Sequence, residues 1–182
     1  MSDPSLIEPE RIDAVCRLWL NRPQARNAQN RAMLDALDAH LAALRSDDSV
    51  HVVVLAGRGE HFSAGHDLKE AQAERGDISV EQRWAYEEVR YFDYCMRLWD
   101  FPKPTIAQVQ GACVAGGFMI ANMCDLVVAA EDAYFSDPVT WSMGAVATEV
   151  LIHPWVMDLH INAIEFLDLS AVWFDRPKGS AS

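Results

Sequence analysis

Residues 111–125 read GACVAGGFMIANMCD, and this stretch decides the fold more than any other part of the chain. Within it, Gly116 and Gly117 come directly before the apolar run from Phe118 to Ala121. This pattern is typical of a helix that begins on glycines. Glycine has no Cβ, so a ligand oxygen can come close to the main-chain N–H groups there. The helix dipole adds positive charge at the same point. The pair is a candidate oxyanion hole, while close helix packing is the alternative explanation.

Two other segments place small residues directly after predicted strands. The loop HFSAGHDL, residues 61–68, follows the apolar run VVVLA at 52–56, which is typical of a buried strand. The turn LNRPQARNA, residues 20–28, ends a strand predicted over 14–20, where apolar residues alternate with others. Ligands of open α/β sheets usually bind at the carboxyl ends of the strands. We therefore expect both turns to face one ligand.

Together these three segments resemble the enoyl-CoA hydratase/isomerase (crotonase) family, whose pattern is an LNRP…NA turn, an F-x-A-G-x-D-L loop and a GG helix start that closes on CD. The resemblance runs from about Ala14 to about Gly144. It implies an α/β fold built as a crotonase-like spiral of ββα repeats. Residues 1–157 are then expected to form an acyl-CoA-binding domain. Residues 158–182 would be a divergent tail, shorter than in the family, as in a short or C-terminally truncated member.

The remaining elements follow from periodicity. Residues 33–44 have helical spacing, 105–109 and 126–130 are predicted as buried strands, and 71–76 as a polar loop. Ser79 and Gln82 form a capping-box pattern that predicts a long amphipathic helix to about Trp99. The residues expected to face the core from that helix are Trp84, Val89, Phe92, Cys95 and Leu98.

Composition limits the classes of function. The formal net charge of −12 opposes nucleic-acid binding, and 51% apolar residues oppose disorder. The sequence has neither a signal-peptide pattern nor an apolar run long enough to span a membrane, so we expect a cytoplasmic protein with reduced thiols and no membrane partner. The phosphates of coenzyme A would need local cations, for which the sequence offers Arg22, Arg26, Arg58 and Lys69.

The resemblance assigns roles to particular positions. The thioester oxygen would accept hydrogen bonds from the main-chain N–H groups of His66 and Gly116. The coenzyme A part of the substrate would lie along the turn and loop residues Arg26, Ala28, Ala64, His66 and Leu68. No other cofactor is implied, and a metal site from His61, His66 and Asp67 is disfavoured because their spacing follows no usual ligand motif.

The chain departs from the family at the positions of its two catalytic glutamates, which are here Met119 and Val139. Neither side chain can exchange a proton, so the usual two-carboxylate hydration is not expected. Three other groups are candidates to move protons. They are Glu149, near which some relatives place an acid, the imidazole of His66, which titrates near neutral pH, and Asp137.

Two classes of function remain. The first is an acyl-CoA enzyme of the hydratase/isomerase type, a lyase or isomerase, which we favour. The second is a non-catalytic acyl-CoA-binding or assembly protein that has lost the acids. A peptidase using Ser63 and His66 finds little support, because no orienting acid is evident. The apolar tail and the family resemblance predict a homo-oligomer, a trimer or hexamer.

Overall fold

The computed structural model describes residues 5–74 and 79–139. The strands are β1 Ile7–Ile12, β2 Val15–Leu20, β3 Val52–Gly57, β4 Thr105–Val109, β5 Ala112–Val114, β6 Leu126–Ala129 and β7 Tyr134–Ser136. The helices are α1 Arg31–Arg45, α2 Leu68–Glu74, α3 Val80–Glu87, α4 Asp93–Trp99 and α5 Gly116–Asn122. A 3₁₀ turn spans Pro23–Ala25, and a π-helical segment, Glu88–Phe92, joins α3 to α4.

The strands form two sheets. The larger has the order β1-β2-β3-β4-β6, with β1 antiparallel to β2 and every other pair parallel, and β5 and β7 pair in parallel in the smaller one. Thus β4 and β6 lie in the large sheet while the strands that follow them lie in the small one. Isolated parallel bridges join Gln29 to His66 and Ser63 to Cys113. The predicted mixed α/β fold with ββα repeats is confirmed.

Helix α1 shows why these residues fold as they do. The side chain of Asn30 caps it by accepting a hydrogen bond from the Met33 N–H. The predicted apolar positions then recur on one buried face, which comprises Met33, Leu34, Leu37, Leu41 and Leu44. Burying each of these side chains stabilises the fold by roughly 1.5–3 kcal/mol relative to exposure. All of them except Leu34 belong to the same core cluster as the inward face of β2, which is Cys16, Leu18 and Leu20.

Two predictions about residues 71–99 need correction. Cys95 and Leu98 are buried as expected, but Trp84, Val89 and Phe92 are 74%, 53% and 46% exposed. A π turn holds more residues than an α turn, so it rotates α3 by about a quarter turn relative to α4 and moves Trp84 off the core side. We call Trp84, Val89 and Phe92 the exposed helix face. The predicted loop at 71–76 is helical as far as Glu74.

Strand β6 is also unlike its prediction. Its four residues are exposed rather than buried, although they are as apolar as expected. The strand lies at the edge of the large sheet, where only β4 flanks it among the described residues. Burial of a strand depends on what covers its two faces, which a short apolar run cannot specify.

The four cysteines are buried, and none of them forms a disulfide bond; they are Cys16, Cys95, Cys113 and Cys124. Burial raises the pKa of Cys124 to about 12 and also raises the pKa values of Cys113 and Cys16. Across residues 5–74 and 79–139, no helix is long and apolar enough to cross a membrane. The predicted tail, 158–182, lies outside the described residues.

Candidate functional site

Asn27 ties the first turn to the loop after β3. Its main chain has a positive φ of 53°, which asparagine tolerates better than most residues, and the residue is fully buried. The side-chain oxygen accepts a hydrogen bond from the Arg22 N–H at 2.8 Å, while the amide donates to the carbonyl oxygens of Arg58 and His61 at 2.9 and 2.8 Å. One side chain therefore fixes two turns relative to each other.

Buried polar contacts of Ser63 and main-chain hydrogen bonds of Gln29 also hold the loop 62–67. The hydroxyl of Ser63 donates to the Asn27 carbonyl at 2.9 Å and accepts from the Gln29 amide and the Gly65 N–H, each at 3.2 Å. The main chain of Gln29 bonds both to Gly65 and to Asp67. Ser63 is fully buried and committed to these bonds, so the geometry opposes its use as a nucleophile.

The main chain of residues 63–66 meets that of residues 114–117, and we call this contact the glycine cradle. Gly65 has a φ of +89°, and a Cβ there would lie 2.9 Å from the Val114 oxygen and 3.3 Å from the Gly116 nitrogen. A Cβ on Gly117 would lie 2.6 Å from the Ser63 oxygen. Only glycine permits this approach at positions 65 and 117, because a Cβ at either would clash with main-chain atoms of the other segment.

Ala115 carries backbone strain directly before this helix start. Its φ of 47° and ψ of −119° lie in a region that favours glycine. Its N–H donates to the Ser136 oxygen at 2.8 Å, which anchors the strained turn to β7. The first hydrogen bond of α5 runs from the Met119 N–H to the Ala115 oxygen, so the N–H of Gly116 has no acceptor within the helix.

The imidazole of His66 lies against the cradle rather than pointing away from it. A Cβ on Gly116 would stand 2.7 Å from Cε1 of His66, so the ring occupies the side of that glycine where a side chain would otherwise stand. The ring of Tyr91 meets the imidazole edge-on, with 4.1 Å between ring centroids and 83° between planes. The imidazole therefore lies beside the glycine cradle, in contact with Tyr91.

An ion pair between Arg22 and Asp67 supports the loop from outside. The two groups are 3.0 Å apart, with side chains only 18% and 19% exposed. Burial opposes ionisation of Asp67, but hydrogen bonds from Arg22 and from the Glu70 and Lys69 N–H groups outweigh it, so the pKa of Asp67 is lowered. Arg58 similarly pairs with Glu8. Of the four candidate cations, Arg26 and Lys69 form no ion pair with another described residue.

The structure brings together most of the positions expected to contact coenzyme A. The Ala64 N–H donates to the Arg26 oxygen at 2.9 Å, which joins the first turn to the loop. Arg26 and Leu68 are exposed, and Ala28 and Ala64 are partly exposed. Within the described parts of the chain, no three histidine, cysteine or acidic side chains cluster in a way that could hold a metal ion.

The two residues that stand where the family resemblance places catalytic glutamates are buried and apolar. Met119 is 2% exposed and Val139 is 6% exposed. Asp137 is buried at the end of β7, where its carboxylate accepts the Val139 N–H at 3.2 Å in a local turn. Glu149 lies outside the described residues.

Sequence reasoning missed two residues that shape the site. Asn27 lies within a recognised motif, but the two carbonyl oxygens that accept its side-chain hydrogen bonds are 31 and 34 residues away. We call this set of hydrogen bonds the Asn27 clip. Tyr91 gave no signal, because one aromatic residue in an amphipathic helix is typical of any core.

Comparison with known proteins adds a separate line of evidence. The family model for enoyl-CoA hydratase/isomerase matches residues 10–158. The chain is 39% identical over 168 residues to EchA13 of Mycobacterium tuberculosis, covering 82% of this chain and 53% of that protein. It is 40% identical to the 2,3-dehydroadipyl-CoA hydratase of Escherichia coli, covering 70% and 48%.

A solved structure agrees with the sequence comparison. A probable enoyl-CoA hydratase from Mycobacterium smegmatis superposes with a TM-score of 0.83 at 40% identity, covering 91% of this chain and 65% of that one. The chain spans about half the length of the curated relatives it matches.

Proposed function

The chain belongs to the enoyl-CoA hydratase/isomerase family, and on that premise we propose that it binds an acyl-CoA thioester and polarises the thioester carbonyl between the main-chain N–H groups of His66 and Gly116. The observation that carries this proposal is the glycine cradle. Donors aimed at the oxygen where negative charge develops can each lower the barrier to an enolate-like state by roughly 3 kcal/mol. The buried clip of Asn27 and the strained turn at Ala115 support the proposal, because such donors work only if they are fixed in advance.

Coenzyme A would lie across the first turn and the loop. Arg26, Ala28, Ala64 and Leu68 would border its adenine and pantetheine parts. Since Arg22 and Arg58 are engaged with Asp67 and Glu8, the phosphates would meet Arg26 and Lys69. These two cations give a local attraction that the net charge of −12 does not provide.

His66 is our choice for the group that moves a proton. Its imidazole stands in front of Gly116, whereas Met119 and Val139 offer no exchangeable proton. A reaction that transfers one proton at the carbon next to the thioester fits this set of residues better than addition of water by two carboxylates. Glu149 stays a candidate for the same role.

The alternative function is a non-catalytic acyl-CoA-binding or assembly protein. It would use the same cradle and the same cations, and the apolar Met119 and Val139 favour it. We further propose a cytoplasmic homo-oligomer, a trimer or hexamer, in which the exposed apolar strand β6 offers surface for contacts between copies. Gel filtration with light scattering tests the oligomer, and a monomer at micromolar concentration would contradict it.

Calorimetric titration tests the proposed function. The protein should bind a crotonyl-CoA thioester, or its unreactive thioether analogue with the carbonyl retained, more tightly than free coenzyme A. Gly116→Val should remove this preference, because a β-branched side chain blocks approach to the N–H groups. Lys69→Ala is the matched control, since it should weaken all these ligands equally. Equal affinity of the wild-type protein for acylated and free coenzyme A would contradict the carbonyl site.

Turnover separates the enzyme from the binder. Enoyl-, dienoyl- and aryl-CoA thioesters are incubated with the protein, and products are read by mass. His66→Gln should lower kcat by at least a hundredfold, with thioester affinity within a few-fold, if the imidazole moves the proton. If Glu149→Gln stops turnover and His66→Gln does not, the role belongs to Glu149. No product from any thioester would favour the binder.

A further inference from the structure

The π-helical segment between α3 and α4 places one aromatic residue inward. Tyr91 is 8% exposed, while its neighbours Val89 and Phe92 are largely exposed. Tyr91 precedes Cys95 and Leu98 by one and two helical turns, so it continues the buried side of α4. Single π turns inside helices are rare and often occur at functional sites.

The inward ring of Tyr91 reaches the candidate site through His66. The interplanar angle of 83° is that of an edge-to-face contact, an orientation that aromatic rings prefer, and the centroid distance of 4.1 Å places the two rings in direct contact. On its other side the imidazole lies against Gly116. The main chain of His66 is itself fixed by the bridge to Gln29. With the main chain fixed, the imidazole can still rotate about its side-chain bonds. The ring of Tyr91 packs against the imidazole and so restricts that rotation.

We propose that Tyr91 is a positioning residue, which holds the imidazole of His66 in front of Gly116 and so sets the position from which a proton is transferred. This inference rests on the proposed function. Tyr91 acts through His66 and makes no contact with substrate in this proposal. This role would also explain the π segment. With an ordinary α-helical turn there, the buried sides of α3 and α4 would lie on one continuous helix face.

The test compares two adjacent aromatic residues. Tyr91→Leu removes the ring that meets His66, and Phe92→Leu removes an exposed ring one residue further on. An aromatic pair contributes about 0.5–1.5 kcal/mol, so Tyr91→Leu should lower kcat by roughly twofold to thirteenfold. KM should change little, because the cations proposed for coenzyme A are untouched. Phe92→Leu should leave both constants near the wild-type values, and Tyr91→Phe, which keeps a ring, should recover most of the lost kcat.

A second readout does not depend on turnover. The imidazole proton resonances of His66, assigned by their loss in His66→Gln, should move in Tyr91→Leu and remain in place in Phe92→Leu. If Tyr91→Leu does not fold, Tyr91→Met fills a similar volume without a ring and replaces it. Unchanged His66 resonances in the ringless variant, or equal kcat in the Tyr91 and Phe92 variants, would overturn the proposal.

Failure of the proposed function would look different. The wild-type protein would then turn over no thioester and show no preference for acylated coenzyme A. The resonances of His66 would still test the positioning role: broadened or doubled imidazole resonances in Tyr91→Leu would support it, because the ring would then take more than one position, and unchanged resonances would overturn it.

Discussion

The glycine cradle and the exposed helix face are fixed by different kinds of contact. Around the cradle, the buried side chains of Asn27 and Ser63 hydrogen-bond to main-chain atoms of the turns they support, and the Gln29 amide donates to the Ser63 hydroxyl. On the exposed helix face, Trp84, Val89 and Phe92 present apolar side chains with large exposed fractions. The polar side chains around the cradle have hydrogen-bond partners within the described residues. The apolar side chains of the exposed helix face are not fully covered by the described residues. The hydrogen bonds around the cradle therefore do not depend on whether the exposed helix face is covered.

The strongest test of this contrast removes the clip at Asn27. Asn27→Ala leaves the Arg22 N–H and the carbonyls of Arg58 and His61 without their buried partner. The free energy of unfolding should fall by about 3 kcal/mol, measured by urea denaturation. Asn21→Ala is the matched control, because the Asn21 amide donates to Ser5 and Glu8 nearer the surface, and its loss should cost less than about 1 kcal/mol. Similar losses in the two variants would contradict a special role for the buried clip.

A smaller effect should follow from the ion pair beside the cradle. The folded state lowers the pKa of Asp67, so its contribution to stability is present above its ordinary carboxyl pKa and is lost as the pH falls through the lowered pKa. Asp67→Asn should cost about 1 kcal/mol at pH 7, and the difference from the wild-type protein should shrink in acid. Urea denaturation between pH 7 and low pH measures this. A difference that does not depend on pH would assign the loss to packing.

The smallest effect is expected on the exposed helix face. Trp84→Gln should change the free energy of unfolding by less than about 0.5 kcal/mol, because the side chain is 74% exposed. The measurement is made at low and at high protein concentration. A larger loss that appears only at high concentration would mean that another copy covers this face, which would sharpen the contrast. A large loss at every concentration would break it.

The parts predicted from sequence are those that depend on neighbouring residues in the chain. The alternation of 14–20, the spacing of α1 and the capping box at Ser79 each specify a local structure, and each occurs as predicted. The positions of Gly65 and Gly116 were also predictable, because glycines at strand ends mark close approaches of the main chain.

The parts that failed depend on distant partners. The wider π turn rotates α3 relative to α4, so Trp84 points away from the core although its sequence spacing favoured burial. Strand β6 is apolar, yet its exposure is set by its place at the sheet edge. The contact of Tyr91 with His66 joins residues 25 positions apart by number, and no local pattern encodes it.

The buried thiols make this chain convenient for labelling. All four cysteines of the sequence are buried, and those with raised pKa values are almost wholly protonated at neutral pH, so none should react quickly with a maleimide in the folded protein. A cysteine introduced at the exposed position 69, as Lys69→Cys, would then carry a fluorophore without removal of any native thiol. The dye would stand next to Leu68 at the edge of the candidate site, where its emission could report the arrival of a ligand in a single-mixing experiment.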